Sequence, residues 1–168
     1  MSTEQYDAVI VGAGFGGMGS AIQLNRLGYD KIAILDREDD LGGTWHVNRY
    51  PGLTVDVPST TYSYCFEPNP YWSRLYAPGS ELKTYAEHVA DKYDLRRYMR
   101  FNTVVDGARW DDDAQEWLVS LSDGQTLHTQ FLILATGYLC QPKKPDIPGI
   151  ESFAGTVLHA QEWDHSYS

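Results

Sequence analysis

At 168 residues, 42% of them hydrophobic, the chain has the size of one ordinary domain, with enough apolar mass for a core that needs neither disulfides nor a structural metal. A formal net charge of -10, with basic clusters no longer than Arg96-Arg97 and Lys143-Lys144, excludes a sequence-blind grip on nucleic acid or anionic lipid. Two distant cysteines, Cys65 and Cys140, with no CxxC and no clustered His, predict reduced thiols and no metal site. The polar start and the lack of any span of about 18 apolar residues predict a cytoplasmic protein without membrane contact.

In chain order, "YDAVIVGAG" is a buried-strand pattern that runs into glycine, and "FGGMGSAIQLNRLG" places Ile22, Leu24 and Leu27 at helical spacing before a stop at Gly28. "KIAILD", from Lys31 to Asp36, is a second apolar strand. Strand, helix and strand in about thirty residues make a βαβ unit with parallel pairing. Its turn reads Gly12-Ala-Gly14-Phe15-Gly-Gly17, with Ala21 one turn on. Gly12 permits a sharp turn, Gly14 permits backbone against a pyrophosphate, and Gly17 with Ala21 lets the helix lie close on the strands. The helix N-terminus then offers free N–H groups and a positive dipole end to phosphate. Asp36 ends the second strand about 20 residues later, where a carboxylate accepts hydrogen bonds from adenosine ribose hydroxyls; Arg37 beside it could face a 2′-phosphate or lie over adenine. This fingerprint alone leaves NAD and FAD both open.

Residues 39–79 are rich in Gly, Pro, Tyr and Thr with little periodicity, the mark of a functional loop. "SELKTYAEHVADKYDL" predicts a helix from Ser80 to Leu95, with Ser80 as N-cap and Leu82, Tyr85, Ala86, Val89 and Tyr93 on one face. "RFNTVV", "EWLVSL" and "TLHTQFLILATG" read as strands separated by the turns "DDDAQ" and "SDGQ". The fold expected is α/β, a Rossmann-like doubly wound parallel sheet with an inserted β-meander. A fully buried parallel strand follows the meander, from Phe131 to Ala135.

Two further motifs bear on the choice of dinucleotide. "LGGTW" (Leu41 to Trp45) follows the ribose acid, and "FLILATG" ends in Ala135-Thr136-Gly137. With these the sequence resembles the flavin-containing monooxygenase superfamily, a kin of the glutathione-reductase-like FAD-binding flavoproteins. The resemblance implies that Gly43, Thr44 and Trp45 lie along the pyrophosphate and ribityl chain of FAD, and that Ala135 and Gly137 let the returning chain pass close to it. "RYPGLTVDVPSTTYSY" is similar to a segment of the Baeyer-Villiger monooxygenases at Tyr50, Pro51, Gly52, Asp56 and Tyr62, and departs from it at Thr54-Val55. By that similarity Asp56 and Tyr62 contact the flavin end of FAD, and the backbone of Val105 contacts adenine. Finally Phe153, Gly155, His159, Trp163 and Asp164 in "FAGTVLHAQEWDHSYS" match the Baeyer-Villiger fingerprint.

The resemblance implies an FAD-binding domain over residues 1–150 and a linker over 151–168 that leads, in a complete enzyme, to an NADPH-binding domain. The complete enzyme would use NADPH and O2 to turn a small carbonyl substrate into an ester or lactone, with a complementing chain as a conceivable partner. No catalytic residue can be carried over to this chain, which is expected to be incomplete on its own. Two other readings stay open: a nicotinamide-binding dehydrogenase domain, and a non-catalytic fragment that has lost its cofactor.

Overall fold

A computed structural model describes residues 4–139 and 141–167. One six-stranded sheet organises the chain, in the order β3-β2-β1-β6-β5-β4, from β1 (Glu4–Val11), β2 (Ile32–Leu35), β3 (Met99–Arg100), β4 (Val105–Asp111), β5 (Glu116–Leu121) and β6 (Thr126–Leu134). β1, β2, β3 and β6 run parallel, while β4 and β5 form an antiparallel meander that leads into β6. The apolar run of β1 needs cover on both faces, as strands of parallel sheets do. On one face Ile10 and Ile34 pack against α1 (Phe15–Arg26) and α3 (Gly79–Lys92). On the other, Val9, Ala33 and Leu35 cluster with Val119 and Leu121 of β5 and Leu127 of β6.

The helices follow from their apolar stripes. α3 buries Leu82, Tyr85, Ala86, Val89 and Ala90, and each large buried side chain contributes ~1.5–3 kcal/mol. It starts before the expected site: Pro78, not Ser80, is the N-cap residue, because the fixed φ of proline suits the entry to a first turn. α1 buries Gly17, Met18, Ala21 and Ile22, and Gly28 ends it at φ +92°. Leu24 and Leu27 are not core residues as their spacing suggested; Leu27 is 75% exposed, and Leu24 lies at the margin of the core. The stripe of α1 is narrow because glycine and alanine bring its inner face very close to the strands.

The later strands differ from expectation in two places. "RFNTVV" is not one strand: its arginine closes β3, its last valine opens β4, and the residues between cross from one to the other. The stretch from Phe131 to Ala135 is parallel to β1 but is not fully buried, with Phe131 44% and Leu134 70% exposed. β5 pairs with β6 only as far as Thr129, so the outer edge beyond it has no neighbouring strand. A short helix, α2 (Thr44–Val47), interrupts the long irregular segment. Cys65 is exposed and outside any disulfide, whereas Cys140 lies outside the described residues. Among the described residues no helix is long and apolar enough to cross a membrane.

Candidate functional site: a dinucleotide cradle

β1 lies between two parallel neighbours, and the chain leaves it through α1 toward β2 while β6 arrives from the meander on the other side. Open α/β sheets hold ligands at such a switch point, outside the carboxyl ends of the strands. There Gly12, at φ +110°, donates its N–H to the Leu35 carbonyl (2.7 Å), and Ala135 donates to the Val11 carbonyl (2.8 Å). A Cβ on Gly12 would stand 2.4 Å from the Ala135 carbonyl oxygen, and one on Gly17 would stand 1.8 Å from that of Gly12. Both contacts are with backbone, so neither position accepts a side chain.

Gly14 and Gly43 pack backbone to backbone beside the start of α1. A Cβ on Gly43, at φ +57°, would meet the Gly14 Cα at 3.1 Å, and one on Gly14 would meet the Gly43 Cα at 3.5 Å. The Gly42 N–H donates to the Ala13 carbonyl (3.0 Å) and pins this second segment to the first. Two backbones without side chains thus flank the start of α1, whose first N–H groups have no acceptor within the helix. That geometry, with the positive end of the helix dipole, fits a diphosphate.

Asp36 closes one end of the cradle. One carboxylate oxygen accepts the Ala13 N–H (2.6 Å) and the other the Glu38 N–H (3.0 Å), so the side chain clasps the glycine loop as well as marking the end of β2. Each oxygen keeps a second lone pair for a ribose hydroxyl. Arg37 pairs through Nε with Glu38 (3.0 Å). Thr103 donates to the Asp36 carbonyl and Asn102 to that of Glu38, both at 2.8 Å, which carries the chain past this end of the cradle into Val105. Val105 itself is half-buried against the Val119 and Leu121 cluster.

Aromatic side chains wall the other end. Trp45 Nε1 donates to the Tyr62 hydroxyl (3.0 Å), and the two rings meet edge to face at 5.4 Å. Phe15 packs on Tyr62 at 5.5 Å. Burial pushes the Tyr62 pKa up; the Trp45 hydrogen bond works against that, and the charge of nearby Asp56 adds to it. Asp56 is exposed. Thr44, in the first turn of α2, accepts from the Asn48 amide at its hydroxyl (2.9 Å). Gly137, at φ +67°, has nothing within 4 Å of where a Cβ would stand, so only its backbone conformation calls for glycine. Among the described residues no group of three or more His, Cys, Asp or Glu could hold a metal ion.

Residues 10–78, which carry the glycine loop, Asp36 and the Trp45–Tyr62 wall, match the family model of the NAD(P)-binding Rossmann-like domain. A Baeyer-Villiger monooxygenase of Streptomyces coelicolor is 42% identical over 98% of the chain, which spans 31% of that protein. The open crystal structure of cyclohexanone monooxygenase superposes with a TM-score of 0.90 at 34% identity, covering 99% of this chain and 33% of its own. The structure of OTEMO in complex with FAD and NADP superposes with a TM-score of 0.86 at 37% identity, over 97% and 31%. The chain spans about a third of the length of these proteins.

The fingerprint that carried the Baeyer-Villiger resemblance lies apart from this cradle. No residue after Ala135 joins a hydrophobic core cluster among the described residues. Phe153 is 62% exposed, and its ring occupies the space beside Gly155, where a Cβ would stand 2.5 Å from it. His159 Nδ1 accepts the Gln161 N–H (3.2 Å) and so caps a 3₁₀ turn, Ala160–Glu162. Trp163 is half-buried, and Asp164 accepts from Ser166 N (2.8 Å) and Oγ (2.6 Å), which holds its pKa low. A Gln161 side-chain bond to the Leu139 carbonyl (2.5 Å) ties the turn back to the end of the ATG segment.

Sequence reasoning passed over the residues that support the cradle from behind. Tyr64 stacks on Phe66 at 5.0 Å, contacts Phe15, and donates its hydroxyl to the Phe15 carbonyl. Tyr85 of α3 donates to the Glu67 carbonyl (2.7 Å) and accepts the Tyr64 N–H (2.9 Å). The signal was present in the alternation Tyr62-x-Tyr64-x-Phe66 and in the surplus glycine at position 19, inside a helix.

Proposed function

We propose that the chain is the FAD-binding part of a cytoplasmic, NADPH- and O2-dependent monooxygenase that converts a ketone to an ester or lactone. The observation that carries the reading is the glycine-built start of α1, where Gly12 and Gly17 have no room for a side chain, Gly43 packs backbone to backbone on Gly14, and Asp36 stands at one end. Asp36 accepts the adenosine ribose hydroxyls, and the backbone of Val105 borders adenine. The N–H groups of Phe15, Gly16 and Gly17 take the diphosphate oxygens, while Gly43, Thr44 and Ala135 to Gly137 close around the chain of the cofactor. Trp45 and Tyr62 exclude water from the flavin end, and the Asp56 carboxylate stands where a nicotinamide would approach it. FAD supplies the redox chemistry when bound, taking reducing equivalents from NADPH and passing them to O2.

Residues 1–150 form the FAD-binding unit in this reading, and 151–168 a linker in which His159 and Trp163 serve movement between domains, not proton transfer. The main NADPH site falls in the remaining two thirds of the enzyme's length, as the 31% coverage of the Streptomyces protein supports.

Absorbance of the purified chain, desalted after incubation with FAD, tests the reading. Flavin bands that persist in the native chain and vanish in Gly14→Val are expected, with no bleaching on addition of NADPH. A colourless protein that retains NAD(H) instead would identify a dehydrogenase domain, and one that retains neither dinucleotide would identify a fragment without cofactor.

A further inference from the structure

We infer that Tyr64 is a positioning residue for the phosphate-binding loop, acting through one peptide plane of α1; this rests on the dinucleotide reading above. The Tyr64 hydroxyl donates to the Phe15 carbonyl, at the first residue of α1. In an α-helix that carbonyl accepts the N–H of the residue four further on, here Gly19. Tyr64 therefore adds a second donor, from outside the helix, to a carbonyl in the first turn of α1.

The consequence reaches the cradle because a peptide unit is planar, with its C=O and N–H pointing in opposite directions. The Phe15 carbonyl and the Gly16 N–H belong to one such plane. Holding the carbonyl on Tyr64 fixes the rotation of that plane and aims the Gly16 N–H away from Tyr64, toward the open end of the helix where the diphosphate lies. A helix end left to itself would fray there.

Two independent features fit this role. Glycine is a poor choice in a helix interior, yet position 19 carries one, and a Cβ there would stand 3.0 Å from Cε1 of the Tyr64 ring. The ring is also held from several sides: Phe66 stacks on it, Phe15 lies at 5.7 Å, and its own N–H is tied to the Tyr85 hydroxyl at 2.9 Å. A residue that only filled space would need neither the hydroxyl contact nor the gap at Gly19.

The test compares Tyr64→Phe and Gly19→Ala with the native chain in three measurements: amide exchange at position 19 without ligand, affinity for FAD and for ADP, and thermal midpoint. Phenylalanine keeps the stacked ring and removes only the hydroxyl. Exchange at position 19, whose N–H lies in the first turn of the helical ladder, is expected to speed up in Tyr64→Phe as that turn loosens, and FAD and ADP each to bind roughly fivefold more weakly, while the midpoint stays within a few degrees. Gly19→Ala, although a better helix former, is expected to lose affinity in the same way because it displaces the ring. Unchanged exchange at position 19 in Tyr64→Phe would overturn the inference. If the native chain bound neither FAD nor ADP, the proposed function would fall, and exchange at position 19 would still decide the role of Tyr64.

Discussion

The cradle and the terminal segment are both rich in signature residues, yet they are held by different forces. Around the cradle, backbone approaches backbone so closely that Gly12 and Gly17 have no room for a single methyl group. In the segment from Phe153 to Asp164 the contacts are few: a capped 3₁₀ turn, an Asp–Ser bond, a tie to Leu139 and an exposed ion pair between Glu162 and Lys144. A motif can therefore be specific in sequence without being structural in the part of the protein that carries it. The first motif is needed for the fold itself, whereas among the described residues the second adds nothing to the core clusters.

Substitutions should separate the two regions sharply. Gly17→Ala, placing a methyl group 1.8 Å from the Gly12 carbonyl oxygen, should show the largest effect, a loss of ~3 kcal/mol or more in urea unfolding. Gly43→Ala should cost the fold ~1–2 kcal/mol for its positive φ, yet weaken FAD at least tenfold by pushing its segment away from Gly14 at the start of α1, as measured by fluorescence titration. His159→Ala and Trp163→Ala should each move stability by no more than about 0.5 kcal/mol and leave FAD affinity unchanged. A large loss from either would mean that the terminal segment is part of the fold after all.

A pH series tests the long loop that joins the two ends of the cradle. Lys92 first, and Tyr93 and His88 after it, hold the Glu67 carboxyl below its ordinary value of 4.5 by hydrogen bonding. His46 does the same for Asp39, whose ordinary value is 3.8. A carboxylate depressed in the fold contributes stability that is complete above its unfolded value and is lost as the pH falls through its folded value. The thermal midpoint should therefore drop as the pH falls below 4.5, and Glu67→Gln should flatten that drop while lowering the midpoint at neutral pH.

Much of the parallel layer was legible because glycine and apolar periodicity speak directly of backbone geometry. The spacing of Gly12, Gly14 and Gly17 with Asp36 predicted a strand, turn and helix, and β1, α1 and β2 stand there. Leu24 and Leu27 misled because periodicity says which face a residue shares but not whether anything covers that face. Phe131 and Leu134 misled for a related reason, since a continuous apolar run is the pattern of a strand with neighbours on both sides, and β5 ends its pairing at Thr129. Ser80 lost the cap to Pro78 because the loop arriving from Leu53 and Ala77 sets where the chain enters the helix.

The sequence by itself determined where glycine must stand and where a carboxylate ends a strand, because those depend on local backbone geometry. Only the tertiary structure decided that Gly43 would meet Gly14 and that Asp36 would clasp Ala13. It also decided that Tyr64 would reach across from the long loop to the first turn of α1. Those contacts join residues far apart in the chain, and nothing in local spacing encodes the distance between two segments that meet only when the core closes.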